Sequence, residues 1–393
     1  MKHSELDSTD VSTSAERFAG QSVRGSTLSY AEYRRSRFFP SLDGIRCFCI
    51  LAVLWHHSMA QVLPWQFFDR GFLGVDMFFI LSGYLIVTLL LREKDRYGSI
   101  SLSAFYARRT LRIFPIYYLL VFGTGVVTLF LSEDSATRRA TNEIFGYAVT
   151  YTMNFAPASE SVYSHLWSLS IEEQFYLLWP LAEKRLARTA MAPLLLLLFG
   201  LVVLADTGAF HGHETDGLPW RLLIRGPFAN AIVWGVLLAH LLHDPAWYER
   251  IRRMLRWRWS SVLILVLLLS VLAIPGQRHP WPALATHVLM TLFLAACLVR
   301  PRNPLAPILN FKPIAYVGVV SYGIYLYHMH VRHFCVALMG SFGADSPWLT
   351  FVLMTAASIG VASLSYHFLE LPILAHRSRF VRTEAGRPAA NAK

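Results

Sequence analysis

The sequence predicts an all-α polytopic membrane protein with about ten transmembrane helices and both termini in the cytoplasm. Composition is the first reason. Of 393 residues 54% are hydrophobic and the mean hydropathy is +0.41, while only 16% are charged, where a soluble domain carries about 25%. One buried core cannot absorb that charge deficit, so most soluble enzyme folds are excluded. The second reason is the run of apolar segments long enough to cross a hydrocarbon layer of about 30 Å, which takes roughly 20 residues each. Where the basic residues fall is the third.

Residues 1–40 are rich in Ser, Thr, Arg and acids and contain no signal-peptide-like apolar stretch. They read as a mostly disordered cytoplasmic tail, followed by a transmembrane domain over 41–373 and a basic cytoplasmic tail over 374–393. The predicted spans are Ile45–Val62, Phe72–Leu91, Ile113–Leu131, Ser164–Ala182, Met191–Ala205, Leu222–Leu242, Ser260–Ile274, Ala283–Val299, Ile314–Leu338 and Trp348–Leu371. The stretch Glu143–Phe155 is apolar but carries Thr150, Thr152 and Asn154, and reads as interfacial or re-entrant. With these spans, 29 of the 36 Lys and Arg residues fall on the cytoplasmic side, as the positive-inside rule requires. An eleventh crossing at Glu143–Phe155 would invert every later loop. The net charge of +11 thus belongs to cytoplasmic loops and membrane lipids rather than to a nucleic acid. Cys47, Cys49, Cys297 and Cys335 sit in apolar runs without ligand spacing and read as apolar filler. No internal repeat of the kind that builds two-half transporters is visible.

Ionisable residues inside spans are costly and are functional candidates by default. In the first span, Arg46 and His57 are eleven positions apart. At about 100° per residue they share a helix face, about 16 Å apart along the axis. His56 points about 80° away from that seam. A snorkelling anchor and a packing histidine are the alternative, but an imidazole is the usual general base near neutral pH. At the start of the third span, Arg108, Arg109 and Arg112 have helical spacing and match phosphate geometry better than lysines would. A topological anchor is the competing role for each. The run His165-Leu-Trp-Ser-Leu-Ser-Ile-Glu172-Glu173-Gln174 places two carboxyls within a span, where they need partners or a wet cavity. Asp76 caps a helix or contacts substrate. His328 is either a site residue or a core histidine, and His330, His333 and His367 read as packing residues. No HExxH, Gly-rich phosphate loop or GxSxG elbow occurs, so no metal is expected.

The stretches SLDGIR with its Arg46/His57 pair, FLGVDMFFILSGYLI, FYARRTLRIFPIYY, HLWSLSIEEQFYLLWP and SYGIYLYHMH, in this order, resemble the bacterial integral-membrane acyltransferase family 3 from about Ser41 to Leu371. The resemblance implies O-acyl transfer, most often acetyl from acetyl-CoA or another acyl-CoA, to a hydroxyl of a glycan such as a lipid-linked surface polysaccharide precursor. It also implies residence in the bacterial plasma membrane and work alongside polysaccharide biosynthesis machinery. By the same resemblance Arg46, His57 and Glu172 are catalytic and Arg109 and Arg112 functional. Arg108 joins them in the expected donor site, and Asp76, Glu173 and His328 in the expected substrate site. Many members carry an appended SGNH hydrolase-like domain, so the membrane domain or a partner protein is expected to complete the chemistry. An antibiotic, a nodulation-type oligosaccharide or a cyclic glucan is equally compatible as acceptor. A transporter or flippase of a glycan or acylated intermediate is the reading from another class.

Overall fold

In hydrocarbon a chain must satisfy its backbone polar groups internally, and a helix does so within one segment. Every regular element among the described residues is helical. The computed structural model describes residues 27–36, 38–59, 70–131, 135–157, 161–207, 209, 226–227, 230–274, 280–343 and 346–380.

A short helix α1 (Tyr30–Arg35) precedes α2 (Ser41–Met59), α3 (Leu73–Tyr97) and α4 (Leu102–Val126). After α4 come the π turn Val127–Leu131, α5 (Ser135–Val149), two 3₁₀ turns at Met153–Phe155 and Ser164–Leu166, α6 (Trp167–Arg185) and α7 (Arg188–Asp206). The second half holds α8 (Ile232–His243), α9 (Pro245–Met254), α10 (Ser260–Leu272), α11 (Pro280–Val299), α12 (Ala306–Leu309), α13 (Lys312–Val319), α14 (Ser321–Ser341) and α15 (Pro347–Ser365). A π turn at Tyr366–Glu370, α16 (Leu371–Leu374) and a 3₁₀ turn at Ala375–Phe380 close the described chain. Among the described residues, four helical stretches are long and apolar enough to cross a membrane: Leu73–Tyr97, Thr189–Asp206, Pro282–Val299 and Pro347–Arg377. Of the other predicted spans, all but Ile314–Leu338 fall on a single helix over most of their described residues. Large apolar side chains point outward along them, including Phe122 and Phe130 near the end of α4, Leu196 on α7 and Leu364 on α15. So much outward apolar surface suits lipid tails and not water.

Two expectations change. The span Ile314–Leu338 is not one helix: it breaks at Val320 between α13 and α14. There α13 packs on α2 so closely that a Cβ at Gly318 would lie 1.8 Å from the Asp43 carbonyl oxygen. The expected tail over 1–40 is ordered where it is described. Ser29 and Glu32 cap α1 reciprocally, and Tyr33, buried to 1% exposure, meets Tyr84 hydroxyl to hydroxyl at 3.0 Å. Arg92 donates to the carbonyls of Tyr33 and Ser36, and Arg34 pairs with Asp95. Residues 1–26 and 381–393, the remainder of the two expected tails apart from 374–380, lie outside the described residues.

The centre is α3. It packs most extensively against α8 and also against α2, α6 and α11. Backbone approach sets the α3–α8 contact: a Cβ at Gly83 would fall 2.2 Å from the Ile232 carbonyl oxygen, and one at Gly235 would fall 2.0 Å from that of Ile80. Small residues at such crossings gain dispersion contact where no hydrophobic effect separates helix from lipid. The Glu143–Phe155 stretch forms the end of α5 and a 3₁₀ turn against α6, where Gln174 donates to Tyr151 O and Asn154 Oδ1, both at 2.8 Å.

Candidate active site

The last turn of α2 carries His56 and His57. The Nδ1 of His57 lies 2.9 Å from the Val53 carbonyl oxygen. A carbonyl only accepts, so Nδ1 holds the proton and Nε2 keeps its lone pair. The His57 ring centroid is 4.8 Å from that of His328, which is itself 5.0 Å from that of His165. His328 Nδ1 reaches Tyr325 O at 2.5 Å, and His165 Nε2 reaches Leu326 O at 3.2 Å. The other nitrogens, His328 Nε2 and His165 Nδ1, are buried and find no hydrogen-bond partner among the described residues. Leaving such a group unsatisfied costs about 1–3 kcal/mol, so their retention points to something they meet. His330 follows: its Nε2 lies 2.9 Å from Thr124 Oγ1 and its Nδ1 is likewise unpartnered.

The cluster is held by its own neighbours. Tyr325 donates to His165 O at 2.8 Å while its hydroxyl lies 2.6 Å from Ser168 Oγ, which latches the start of α6 onto α14. Arg332 Nε donates to His57 O at 2.7 Å, tying the end of α2 to the same helix. No group of three or more His, Cys, Asp or Glu among the described residues has the geometry to hold a metal ion.

Toward the other end of α2 the chemistry changes from imidazole to guanidinium and carboxylate. Arg46 Nη1 donates to Asp43 Oδ1 at 3.0 Å. Glu172 accepts from Ser82 Oγ at 2.7 Å and lies within electrostatic range of Arg46 and Arg109. Glu172 therefore belongs with the guanidiniums, while His57 is oriented by its own helix backbone. Arg109 covers the Tyr176 ring at 4.6 Å. Arg112 keeps accessible surface although protein surrounds it closely, and Arg46, Arg109 and Arg377 lie within its electrostatic range. Arg108 is committed elsewhere: Nη2 lies 3.6 Å from Glu93 Oε2 and Nη1 donates to Phe380 O at 2.7 Å. Glu173 lies among Tyr117, Tyr151 and Tyr322. Asp76 sits apart from both groups in a third cluster, where His287 contacts it at 3.4 Å and Asp206 at 2.9 Å.

The sequence singled out His57, Arg46 and Glu172 together, whereas the structure places His57 in one group and Arg46 and Glu172 in another. It missed His165, whose signal was an imidazole at the start of an apolar run, and Ser82. It did not single out Arg332, which the charge count left among outward-side cations, and the structure places His330, read as a packing residue, beside the same cluster.

A family model described as an acyltransferase domain matches residues 39–367. The chain is 32% identical over 371 residues to the "Putative peptidoglycan O-acetyltransferase YrhL" of Bacillus subtilis (strain 168), a match covering 88% of this chain and 56% of that protein. It is 28% identical over 363 residues to the O-acetyltransferase OatA of Staphylococcus aureus (strain NCTC 8325 / PS 47), covering 86% and 57%. The chain spans little more than half the length of these curated relatives. No solved structure matches it.

Proposed function

The chain belongs to the acyltransferase family whose model covers residues 39–367, and from that premise we propose that it is an O-acyltransferase moving an acyl group, acetyl in the simplest case, from a cytoplasmic coenzyme A thioester to a glycan hydroxyl. One observation carries the reading: α2 alone bears an imidazole whose Nδ1 is taken by a backbone carbonyl and, eleven residues away, a guanidinium in electrostatic range of Arg112 and Glu172. That separation is about 16 Å along the helix, room for the extended arm of a thioester whose phosphates stay among Arg109 and Arg112. His57 Nε2 takes the proton of the acceptor hydroxyl as its oxygen bonds to the thioester carbonyl carbon. The carbon–sulfur bond then breaks, and the imidazolium returns the proton to the departing thiolate. His328 and His165 offer unpartnered nitrogens to the acceptor beside that centre. Glu172 holds Arg46 and Arg109 in place, and Glu173 and Asp76 serve acceptor contacts farther off. The name of the Bacillus relative favours a glycan acceptor of the peptidoglycan type. Purified protein in detergent should transfer label from acetyl-CoA or hydrolyse it. Specific binding without either reaction would replace this reading with that of a transporter or flippase.

In this reading the protein sits in the bacterial plasma membrane, crosses it about ten times and keeps both termini inside. Arg250 over Trp247 at 4.7 Å and Arg258 over Trp259 at 5.1 Å support this, as an interfacial belt on the basic side. Cysteines placed at Ser135 and Ser341 should react with an impermeant thiol reagent from outside, and those at Ser99 and Glu249 should not. Outside labelling at Glu249 would mean that Glu143–Phe155 crosses after all.

The donor site has its own test. Arg109→Lys and Arg112→Lys keep the charge but lose the bidentate fork, and charge-assisted hydrogen bonds are worth about 1.5–3 kcal/mol. Each variant should insert normally and raise the donor KM by about 10- to 100-fold. Unchanged donor KM in both would return these arginines to topological anchoring.

A further inference from the structure

The 3₁₀ turn Ala375–Phe380 packs against α4, and the bond from Arg108 Nη1 to Phe380 O pins it there. Arg108 is in turn steadied by Glu93. One of the three clustered arginines therefore acts as a fastener, and what it fastens is a segment bearing another arginine. Arg377 lies within electrostatic range of Arg108 and Arg109, and Arg112 within range of Arg377 and Arg46. Among the described residues no carboxylate comes within 4 Å of Arg109, Arg112 or Arg377. Glu172 and Glu173 are in electrostatic range of Arg109, and Asp43 and Glu370 of Arg112, in each case from beyond that distance. The other ionisable groups of the turn do not relieve the crowding: His376 Nδ1 faces Pro372 O at 3.1 Å, and Arg379 is exposed. Among the described residues Arg377 itself has only like charges in range, those of Arg108, Arg109 and Arg112, and such an arrangement is eased when a multivalent anion enters.

We propose that Arg377 is a phosphate-binding residue, completing with Arg109 and Arg112 a cleft for the phosphates of the coenzyme A thioester. The assignment rests on the donor reading above and adds a specific position to it. Both Arg112 and Arg377 keep accessible surface, and protein surrounds Arg112 the more closely. A coenzyme A entering arm first would leave its diphosphate between Arg109 and Arg112 and its ribose 3′-phosphate, the outermost anion, on Arg377. An anionic lipid headgroup has the same phosphate chemistry, so the test must separate the two.

The experiment compares acetyl-CoA with acetyl-dephospho-CoA, which lacks the 3′-phosphate, on the full chain in nanodiscs. Wild type should show a donor KM about tenfold or more higher for the dephospho donor, as the loss of one charge-assisted contact implies. Arg377→Gln should raise the KM for acetyl-CoA to that level, leave the dephospho donor unaffected and keep kcat at saturation. If Arg377→Gln is not recovered folded, Arg377→Lys is read the same way, with a partial rise and a reduced preference. Equal KM values for the two donors on wild type overturn the assignment without any variant, and so does a variant that keeps the wild-type preference. Nanodiscs of phosphatidylcholine alone and of phosphatidylcholine with phosphatidylglycerol complete the comparison. An effect of Arg377→Gln confined to the anionic discs would give the residue to lipid and also overturn the assignment. If wild type neither transfers nor hydrolyses acetyl-CoA, the donor reading falls first and takes this one with it; turnover with an unaltered Arg377→Gln removes this one alone.

Discussion

His57→Ala is expected to lower acyl transfer by about 10²- to 10⁴-fold, the usual range for a general base, while the protein stays folded and still binds coenzyme A. The backbone supports that separation of effects. Arg332 holds the end of α2 through the His57 carbonyl, not its ring, so removing the imidazole leaves the helix anchored. His56→Ala should cost far less, since its ring lies against Phe72 at 5.5 Å and His57 at 5.2 Å and is turned off the seam. A loss below about tenfold in the His57 variant would be too small for the assigned role. Wild-type rates should also fall as pH is lowered, because protonating Nε2 removes the lone pair that accepts the hydroxyl proton.

Gly235→Val should leave little folded protein to measure. The added Cβ would sit 2.0 Å from the Ile80 carbonyl oxygen and 2.7 Å from the Tyr84 amide nitrogen, and backbone atoms within a helix cannot step aside as a side chain would. Forcing α3 and α8 apart would disturb the most extensive helix packing among the described residues. Overpacking typically costs about 1–3 kcal/mol and occasionally more, and a clash with helix backbone falls at the upper end. Gel filtration in detergent should show loss of the monodisperse species. Gly200→Ala is the control, because a Cβ there meets nothing within 4 Å. A Gly235→Val protein as stable as that control would mean the two helices do not cross as closely as described.

Much of the helix content was legible because apolar runs with few charges have only one way to satisfy their backbones in lipid. The Arg46/His57 pair was legible for a related reason: both residues lie on one helix, and helical phase is a local property. Spatial partners are not local. His328 reaches His57 from 271 positions along the chain, and nothing in either segment names the other. Glu172 falls with Ser82 and the guanidiniums because α3 and α6 pack together, a tertiary fact. The break at Val320 was hidden because no proline or charged residue marks it. The ordered helix α1 had a readable signal in Ser29-x-x-Glu32, which the polar composition around it outweighed.

The N-terminal segment also carries a consequence for how the molecule is made. Leu28 donates its amide proton to Val299 O at 2.9 Å, Tyr248 donates to Leu28 O at 3.0 Å, and Tyr30 donates to His243 O at 2.5 Å. The last two of these partners are 220 and 213 positions downstream. At about 5–20 residues per second, the ribosome needs roughly 10–45 s after making Leu28 to produce Tyr248. This N-terminal segment is therefore among the last to find its seat, and the face it closes must stay open until α11 has been synthesised.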